Sequence, residues 1–358
     1  MKILFVSDLY PVKESEISTP RTLFDFVQAW RRLGHEVSVI KPNFLLNSFV
    51  RKKPFYKTAV YDDVYNLNYF TPFWGNVKKK LKGISLNDFD IVIAHMPSGI
   101  LFADKLGIPF VAGVHVSDIE VLTKSLYSVY FKNRLLKSLR NAKAIACRSA
   151  VLKGKLLALY PEFREKTFVA PSGIKQEYIV ARDFKEINLQ NLKIMTCANF
   201  KKRKNIDKLI VALKDMDCVN LTVVGDGKDR RKLEKLGRNV RFTGRLDKKK
   251  VLEEMQNSDV FILPSVNETF GMVYLEAMAS GCITICTKND GIDGIILDGE
   301  NGFLTEASVD GITTTIQRIK SCNNLAQIRM NSSKTVEKYT DLECARQYLV
   351  NIHNFLFK

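Results

Sequence analysis

Pro264-Ser265-Val266-Asn267-Glu268-Thr269-Phe270-Gly271-Met272-Val273-Tyr274-Leu275-Glu276-Ala277-Met278-Ala279-Ser280-Gly281 is the stretch that decides the fold of this 358-residue chain. Just before it, Val260 to Leu263 form an apolar run with the length of a buried strand. After Met272 the pattern becomes helical, and Gly281 closes the helix as a left-handed C′ residue. Strand, loop and helix in that order put Glu268 in the loop and Glu276 along the helix, so the two carboxylates lie at different depths of one pocket. Backbone N–H groups of Thr269, Phe270, Gly271 and Met272 open the helix and offer a seat for an anion or a hydroxyl. A carboxylate accepts two hydrogen bonds from a vicinal diol, which suits Glu276 to a ribose and Glu268 to a sugar ring. On residue type alone, the two glutamates also fit a helix cap and a solvated position.

Outward from this stretch, short apolar runs recur with helix-period segments between them, the pattern of parallel strands covered on both faces by crossover helices. The expected strands of the first half are Ile3 to Ser7, Glu36 to Ile40, Asp90 to His95, Pro109 to His115, Ala144 to Ser149 and Phe168 to Pro171. Those of the second half are Lys193 to Asn199, Asn220 to Gly225, Val240 to Thr243, Val260 to Pro264 and Cys282 to Thr287. The first helix has Thr19 as its cap and Pro20 at its first position, with Leu23, Phe26, Val27 and Trp30 on one face and Gly34 closing it. The expected fold is α/β, two Rossmann-like doubly wound domains facing a central cleft. Their limits fall at 1–172 and 173–340, with Pro171-Ser172-Gly173 and the polar stretch 175–191 as the connection. Ligands of such sheets bind outside the carboxyl ends of the strands, which makes the cleft the expected site.

Hydrophobic residues make up 46% and charged residues 26%, which excludes a disordered, collagen-like or low-complexity chain. The 55 Lys+Arg against 38 Asp+Glu give a net charge of +17, which calls for an anionic partner: nucleic acid, an acidic membrane face or phosphate-bearing substrates. Residues 1–180 hold 27 of the basic and 15 of the acidic residues, so a net +12 lies in the N-terminal half. Seven scattered cysteines without a Cys-x-x-Cys pair fit a reducing cytoplasm. The first apolar run stops at Asp8 and no segment reaches the length of a spanning helix, so neither a signal peptide nor an integral membrane protein is expected. No Ser/His/Asp or Cys/His arrangement and no metal-ligand motif is evident, so no bound metal or cofactor is expected.

The stretch from Pro264 to Gly281 resembles the signature of family 4 glycosyltransferases, a retaining family of GT-B architecture, in its two glutamates with seven residues between them and its Phe-Gly and Glu-Ala-Met-Ala-Ser-Gly context. The resemblance implies that Glu268 contacts hydroxyls of the donor sugar and that Glu276 binds the nucleotide ribose. Val223-Val224-Gly225-Asp226-Gly227 is similar to the family's Gly-(Asp/Glu)-Gly turn, whose glycines serve backbone geometry. Phe242-Thr243-Gly244-Arg245-Leu246 resembles the loop whose backbone recognises the nucleobase, which makes Gly244 and Arg245 donor contacts. Asp290 to Ile296 and Asp298 to Leu304 resemble the late glycine loop and closing turn, with Asp293-Gly294 in place of the usual Pro-Glu pair. The segment Cys197 to Asp207 lies where the family has Gly-Arg-Leu, four residues and Lys. Lys204 matches that lysine and Asn199 replaces the arginine, with Lys201, Lys202 and Arg203 near enough to supply charge. About two negative charges develop on a departing nucleoside diphosphate, and such cations stabilise them.

In the N-terminal half, Gly113-Val114-His115-Val116-Ser117-Asp118 resembles the family's active-site histidine with an aspartate three residues on, which makes His115 a donor-sugar contact and Asp118 a further candidate. The loop Pro11 to Thr19 lacks the family's glycine pair, and Pro171-Ser172-Gly173-Ile174 resembles its linker. The resemblance also implies that the last helix, within 341–358, returns to the first domain. The implied reaction moves a sugar, with UDP as the foremost carrier, onto a hydroxyl of a glycan or polyprenyl-diphosphate-linked acceptor, without a metal and with retention. A nucleotide-sugar epimerase, a sugar phosphorylase or a catalytically idle membrane-binding protein on the same fold are the alternatives; nucleic acid lacks a recognition motif here. Two basic amphipathic segments, Leu122 to Leu139 and Phe73-Trp74 with Lys78, Lys79, Lys80 and Lys82, suit an anionic membrane surface, so a peripheral position at the inner face of the plasma membrane is expected.

Overall fold

The structure is a computed structural model that describes residues 1–14, 16, 21–44, 56–69, 77, 81, 85–123, 128–179, 186–237 and 240–356. Two compact units divide the chain. Unit 1 comprises Met1–Arg148, Leu152–Ser172 and Asp341–Lys358, and unit 2 comprises Ser149–Val151 and Gly173–Thr340.

Unit 1 is built on eight strands: β1 (Lys2–Val6), β2 (Glu36–Phe44), β3 (Ala59–Tyr61), β4 (Val64–Tyr69), β5 (Ile91–His95), β6 (Phe110–Val114), β7 (Ala144–Cys147) and β8 (Thr167–Val169). Their order is β3-β4-β2-β1-β5-β6-β7-β8, parallel throughout except for the β3–β4 hairpin. The helices are α1 (Thr22–Arg32), α2 (Met96–Leu106), α3 (Val116–Thr123), α4 (Ser128–Asn141) and α5 (Ala150–Leu159), and the final helix of the chain, Asp341–Leu356, also belongs to this unit. Ile3, Leu4, Phe5 and Val6 have no exposed surface, as expected of strands covered on both faces. Gly99 lets α2 approach β1: a Cβ there would stand 2.7 Å from the Val6 carbonyl oxygen. Trp30 of α1 donates from Nε1 to the Ala345 carbonyl at 3.0 Å, tying the final helix to the first.

Unit 2 has β9 (Leu192–Cys197), β10 (Val219–Val224), β11 (Val240–Gly244), β12 (Val260–Leu263), β13 (Ile283–Thr287) and β14 (Phe303–Thr305) in the order β11-β10-β9-β12-β13-β14, each neighbouring pair parallel. Its helices are α6 (Ile206–Leu213), α7 (Arg230–Glu234), α8 (Lys248–Gln256), α9 (Met272–Ala279), α10 (Val309–Lys320) and α11 (Leu325–Val336); the final helix, Asp341–Leu356, is α12. Strand order reverses between β1 and β5 in unit 1 and between β9 and β12 in unit 2, and beside such switch points the strands' carboxyl ends form crevices.

Three strands lie outside the sequence expectation: β3, β4 and β14. The β3–β4 hairpin turns at Asp62 (φ 50°), and β4 carries Asn66 fully buried, its amide donating to the Lys57 carbonyl at 3.0 Å. A buried polar side chain breaks the apolar pattern that reveals the other strands. The basic amphipathic reading of Leu122 to Leu139 needs a correction as well. Leu122, Leu135 and Leu139 are buried in the core of unit 1, and Phe131 and Leu136 pack against them, so the described part of the apolar stripe is an inward face. The cap expected at Thr19 and Pro20 and the Phe73, Trp74, Lys78–Lys80 and Lys82 segment lie outside the described residues. Among the described residues, no helix is long and apolar enough to cross a membrane.

Candidate active site

The chain leaves β12 at Leu263 and re-enters helix at Met272, and the loop between is held at both ends. Tyr274 donates from its hydroxyl to the Leu263 carbonyl at 2.7 Å, and Asn205 Nδ2 donates to the Pro264 carbonyl at 2.8 Å. Asp290 accepts the backbone N–H groups of Asn267 and Glu268, each at 2.7 Å. Two glycines allow the close approach. At Gly271 (φ +96°) a Cβ would stand 2.5 Å from the Tyr274 ring, and at Gly291 it would stand 2.9 Å from the Phe270 carbonyl and 3.1 Å from Glu268 Cβ. The backbone at Glu268 is thus set by an acidic residue and a glycine from the loop after β13. Gly281 (φ +83°) closes α9, with its N–H on the Met278 carbonyl at 3.1 Å.

Glu268 is countered by two cations. Arg203 Nη1 lies 2.6 Å from its Oε1, and Lys204 Nζ donates to the same oxygen. Both cations come from the turn after β9, the strand that pairs with β12. Burial pushes the Glu268 carboxyl up, but Lys204 and Arg203 outweigh it and hold the group below its usual range. Burial likewise lowers Lys204, and Arg203 and Lys201 add to this against the pull of Glu268. With two cations facing one carboxylate, Glu268 is ionised and the cluster carries an excess positive charge.

Glu276 is held separately. Its carboxylate is 9% exposed and accepts Lys248 Nζ at 2.5 Å. Lys248 opens α8 behind the Asp247 cap, which accepts the Lys250 N–H at 2.9 Å, and its Nζ stands 5.9 Å from the Tyr178 ring centre. Cys197, at the end of β9, is raised to about 11 by burial and by the Glu276 charge, against the pull of Lys248 and Lys204. Gly225 (φ +124°) donates its N–H to the Gly244 carbonyl at 2.8 Å, and a Cβ on it would stand 2.0 Å from the Ala198 carbonyl, so this turn is backbone geometry. Asn199 and Arg245 are exposed, and Phe270 is buried in the core of unit 2.

In unit 1, His115 follows β6 and caps α3. Its backbone N–H donates to Asp118 Oδ2 at 2.7 Å and its carbonyl accepts the Asp118 N–H at 3.0 Å, a reciprocal cap. Asp118 has no exposed surface, and burial, eased by its backbone hydrogen bonds but reinforced by Asp8, raises its carboxyl to about 8, so it is a neutral acid at pH 7. Burial and the nearby Arg148 charge lower His115 to about 3, so its imidazole is neutral too.

The structure therefore brings Lys204, Arg203 and Glu268 together and sets Glu276 against a residue that the sequence did not single out, Lys248. That lysine stands in the run Lys248-Lys249-Lys250, which reads as a solvated helix face. Asp290, hidden in a glycine-rich loop, was missed as the clamp on Glu268. His95 was missed as well, although a histidine ending a buried strand is the signal that singled out His115.

Two family models match consecutive parts of the chain: Glycosyltransferase Family 4 over residues 19–178 and Glycosyl transferases group 1 over residues 180–336. An uncharacterised glycosyltransferase of Methanocaldococcus jannaschii is 30% identical over 213 residues, 58% of this chain and 57% of the relative. The α-monoglucosyldiacylglycerol synthase of Streptococcus pneumoniae is 25% identical over 283 residues, 72% of this chain and 62% of the relative. The chain thus spans less than two thirds of the length of either relative. Among solved structures, Anabaena Alr3699/HepE in complex with UDP superposes with a TM-score of 0.76 at 18% identity, covering 99% of this chain and 100% of that one. That likeness carries the fold, and the motif from Glu268 to Gly281 lies within the second matched region. On the two models and the two doubly wound sheets, the chain belongs to the group 1, family 4 glycosyltransferases with the GT-B fold.

Proposed function

We propose that this chain is a retaining glycosyltransferase that moves a sugar from a nucleoside diphosphate, UDP foremost, to a hydroxyl of a glycan or lipid-linked acceptor. The observation that carries the proposal is the charge arrangement at the ends of β9 and β12. One carboxylate, Glu268, faces two cations, and the excess positive charge is what a departing diphosphate requires. In this scheme Lys204 swings from Glu268 to the diphosphate while Arg203 stays and keeps the carboxylate ionised. Glu268 then accepts hydrogen bonds from sugar hydroxyls, and Glu276 exchanges Lys248 for the ribose diol. His115 contacts the donor sugar, and a diphosphate oxygen of the leaving group takes the acceptor proton. The protein's part is to position the two substrates and to stabilise charge as an oxocarbenium-like transition state forms.

The lipid-linked acceptor class is supported by the glucosyldiacylglycerol synthase among the relatives and by the net +12 of residues 1–180. Because Phe131, Leu135, Leu136 and Leu139 of α4 pack in the core, attraction to an anionic membrane surface would rest on charge and weaken with salt. A thermal-shift panel of nucleotide sugars, followed by product analysis, tests the assignment. A UDP-sugar is expected to raise the melting temperature and to give an α-linked product from an α-linked donor. Inverted product, or no stabilisation by any nucleotide sugar, would overturn it.

A further inference from the structure

Behind His115 lies a hydrogen-bonded chain that runs from β6 through β5 to the final helix. His95 ends β5 with 1% of its surface exposed, and its Nδ1 lies 2.9 Å from His115 Nε2. Its other ring nitrogen, Nε2, lies 3.2 Å from the Tyr348 hydroxyl of α12, itself 1% exposed. The His95 ring is seated by construction: a Cβ on Gly113 would stand 2.2 Å from it, so only glycine fits there on β6, and Phe5 of β1 packs 5.5 Å away, centre to centre.

The direction of the chain follows by elimination. Among the described residues, the Tyr348 hydroxyl has no hydrogen-bond partner other than His95. A buried O–H left without an acceptor is costly, so Tyr348 donates to His95 Nε2. His95 must then carry its proton on Nδ1 and donate to His115 Nε2. His115 is left with its own proton on Nδ1, the nitrogen facing away from the chain.

We propose that His95, oriented by Tyr348, is a positioning residue that fixes His115 in the Nδ1–H tautomer. The proposal rests on His115 being the contact to the donor sugar, where Nδ1–H presents a donor to a sugar oxygen and the other tautomer would present a lone pair. The charged and titratable groups around the pair fit this role. Arg148, at the end of β7, is 1% exposed and stands over the Phe26 ring at 4.4 Å; it also donates to Ser172 and has no carboxylate partner among the described residues. Asp118 on α3 is protonated, Asp8 acts on Asp118, and Cys147 and Cys344 are held as thiols by burial. Burial first, then His115 in the case of His95, and then the fixed charge of Arg148 oppose any positive charge on either imidazole. A neutral donor also avoids repelling an oxocarbenium ion.

With four histidines in the chain, ring 15N shifts of the labelled full-length protein can be assigned by single substitutions. The expected result is His115 protonated on Nδ1 only, without titration between about pH 5.5 and 8.5. His95→Ala should give a mixed tautomer at His115 and lower kcat about tenfold, with donor KM changed less than about threefold. His95→Gln, which keeps a side-chain N–H, should restore most of both. Tyr348→Phe keeps the ring packing and loses only the hydroxyl, so it should reproduce the effect of His95→Ala in weaker form even if His95→Ala fails to fold. An Nε2–H tautomer in the wild type would overturn the proposal, as would an unaltered tautomer and kcat in both Tyr348→Phe and a folded His95→Ala. Full activity in His115→Ala would instead sink the donor-sugar contact on which the role depends, whatever the 15N spectrum shows.

Discussion

In unit 2 each carboxylate of the motif lies against a cation, Glu268 against Lys204 and Arg203, Glu276 against Lys248. At the corresponding edge of unit 1 the groups are buried and neutral: His95, His115 and Asp118 have at most 9% exposure, and the cation beside them, Arg148, has no carboxylate partner among the described residues. Ion pairs of this kind exchange partners when a charged ligand arrives, at the cost of one contact for another. A neutral hydrogen-bonded chain has no such freedom, because breaking any link leaves a buried donor or acceptor unmet. The difference assigns charge handling to unit 2 and fixed geometry to unit 1.

The largest effect should come from the charge-handling side. Lys204→Ala is expected to lower kcat by about 100-fold or more, the range for losing one donor to developing transition-state charge, while the donor KM moves little. Glu268→Ala should fall in the same range and leave two cations without their carboxylate. Because the three side chains share one oxygen, the double variant should cost far less than the product of the single effects. Additive losses in steady-state kinetics would separate Lys204 from Glu268 and break the picture of one exchanging cluster.

A smaller loss, and of a different kind, is expected at Glu276. If Glu276 accepts the ribose diol as proposed, in the ground state and the transition state alike, Glu276→Ala should raise the donor KM about 10- to 100-fold with kcat nearly kept. Lys248→Met should change KM by about threefold or less, since Lys248 is half exposed and such pairs contribute little. Isothermal titration with the nucleoside diphosphate reads both. If Lys248→Met weakened binding as much as Glu276→Ala, the lysine would be a ligand contact and not a placeholder.

Much of this was legible because each signal is local. Eleven of the fourteen strands among the described residues announced themselves as apolar runs, and the Glu268 to Gly281 motif carried its own loop and cap chemistry. What stayed hidden is non-local. Asn66 disguised β4 because its Nδ2 is held by backbone carbonyls about ten residues away. Lys248 meets Glu276 across 28 residues, and Tyr348 meets His95 across 253, pairings that only the folded sheets create. The apolar stripe of α4 was visible, but not the side it faces; an amphipathic period is the same whether the apolar face meets a core or a membrane.

The smallest expected effect tests the neutral side through its pH dependence. Asp118 is raised to about 8 in the folded chain by burial, from an ordinary 3.8. A raised pKa means that the folded state binds the proton more tightly than the unfolded one. The stabilisation is therefore complete below the unfolded value and is lost as pH rises through about 8. His115 works in the opposite sense: its folded value of about 3 against an ordinary 6.5 removes stability as pH falls below 6.5. Between about pH 6.5 and 8 only the Asp118 contribution remains, and the wild type should lose about 1–2 kcal/mol across that window. Asp118→Asn keeps an acceptor for the His115 N–H and cannot ionise, so its urea-unfolding free energy should be flat over the same range. Its activity should fall less than about threefold if Asp118 serves only as the cap of α3. Parallel stability curves for the two proteins would mean that Asp118 is ionised when folded, and unit 1 would then hold a buried carboxylate charge of the kind that sets unit 2 apart.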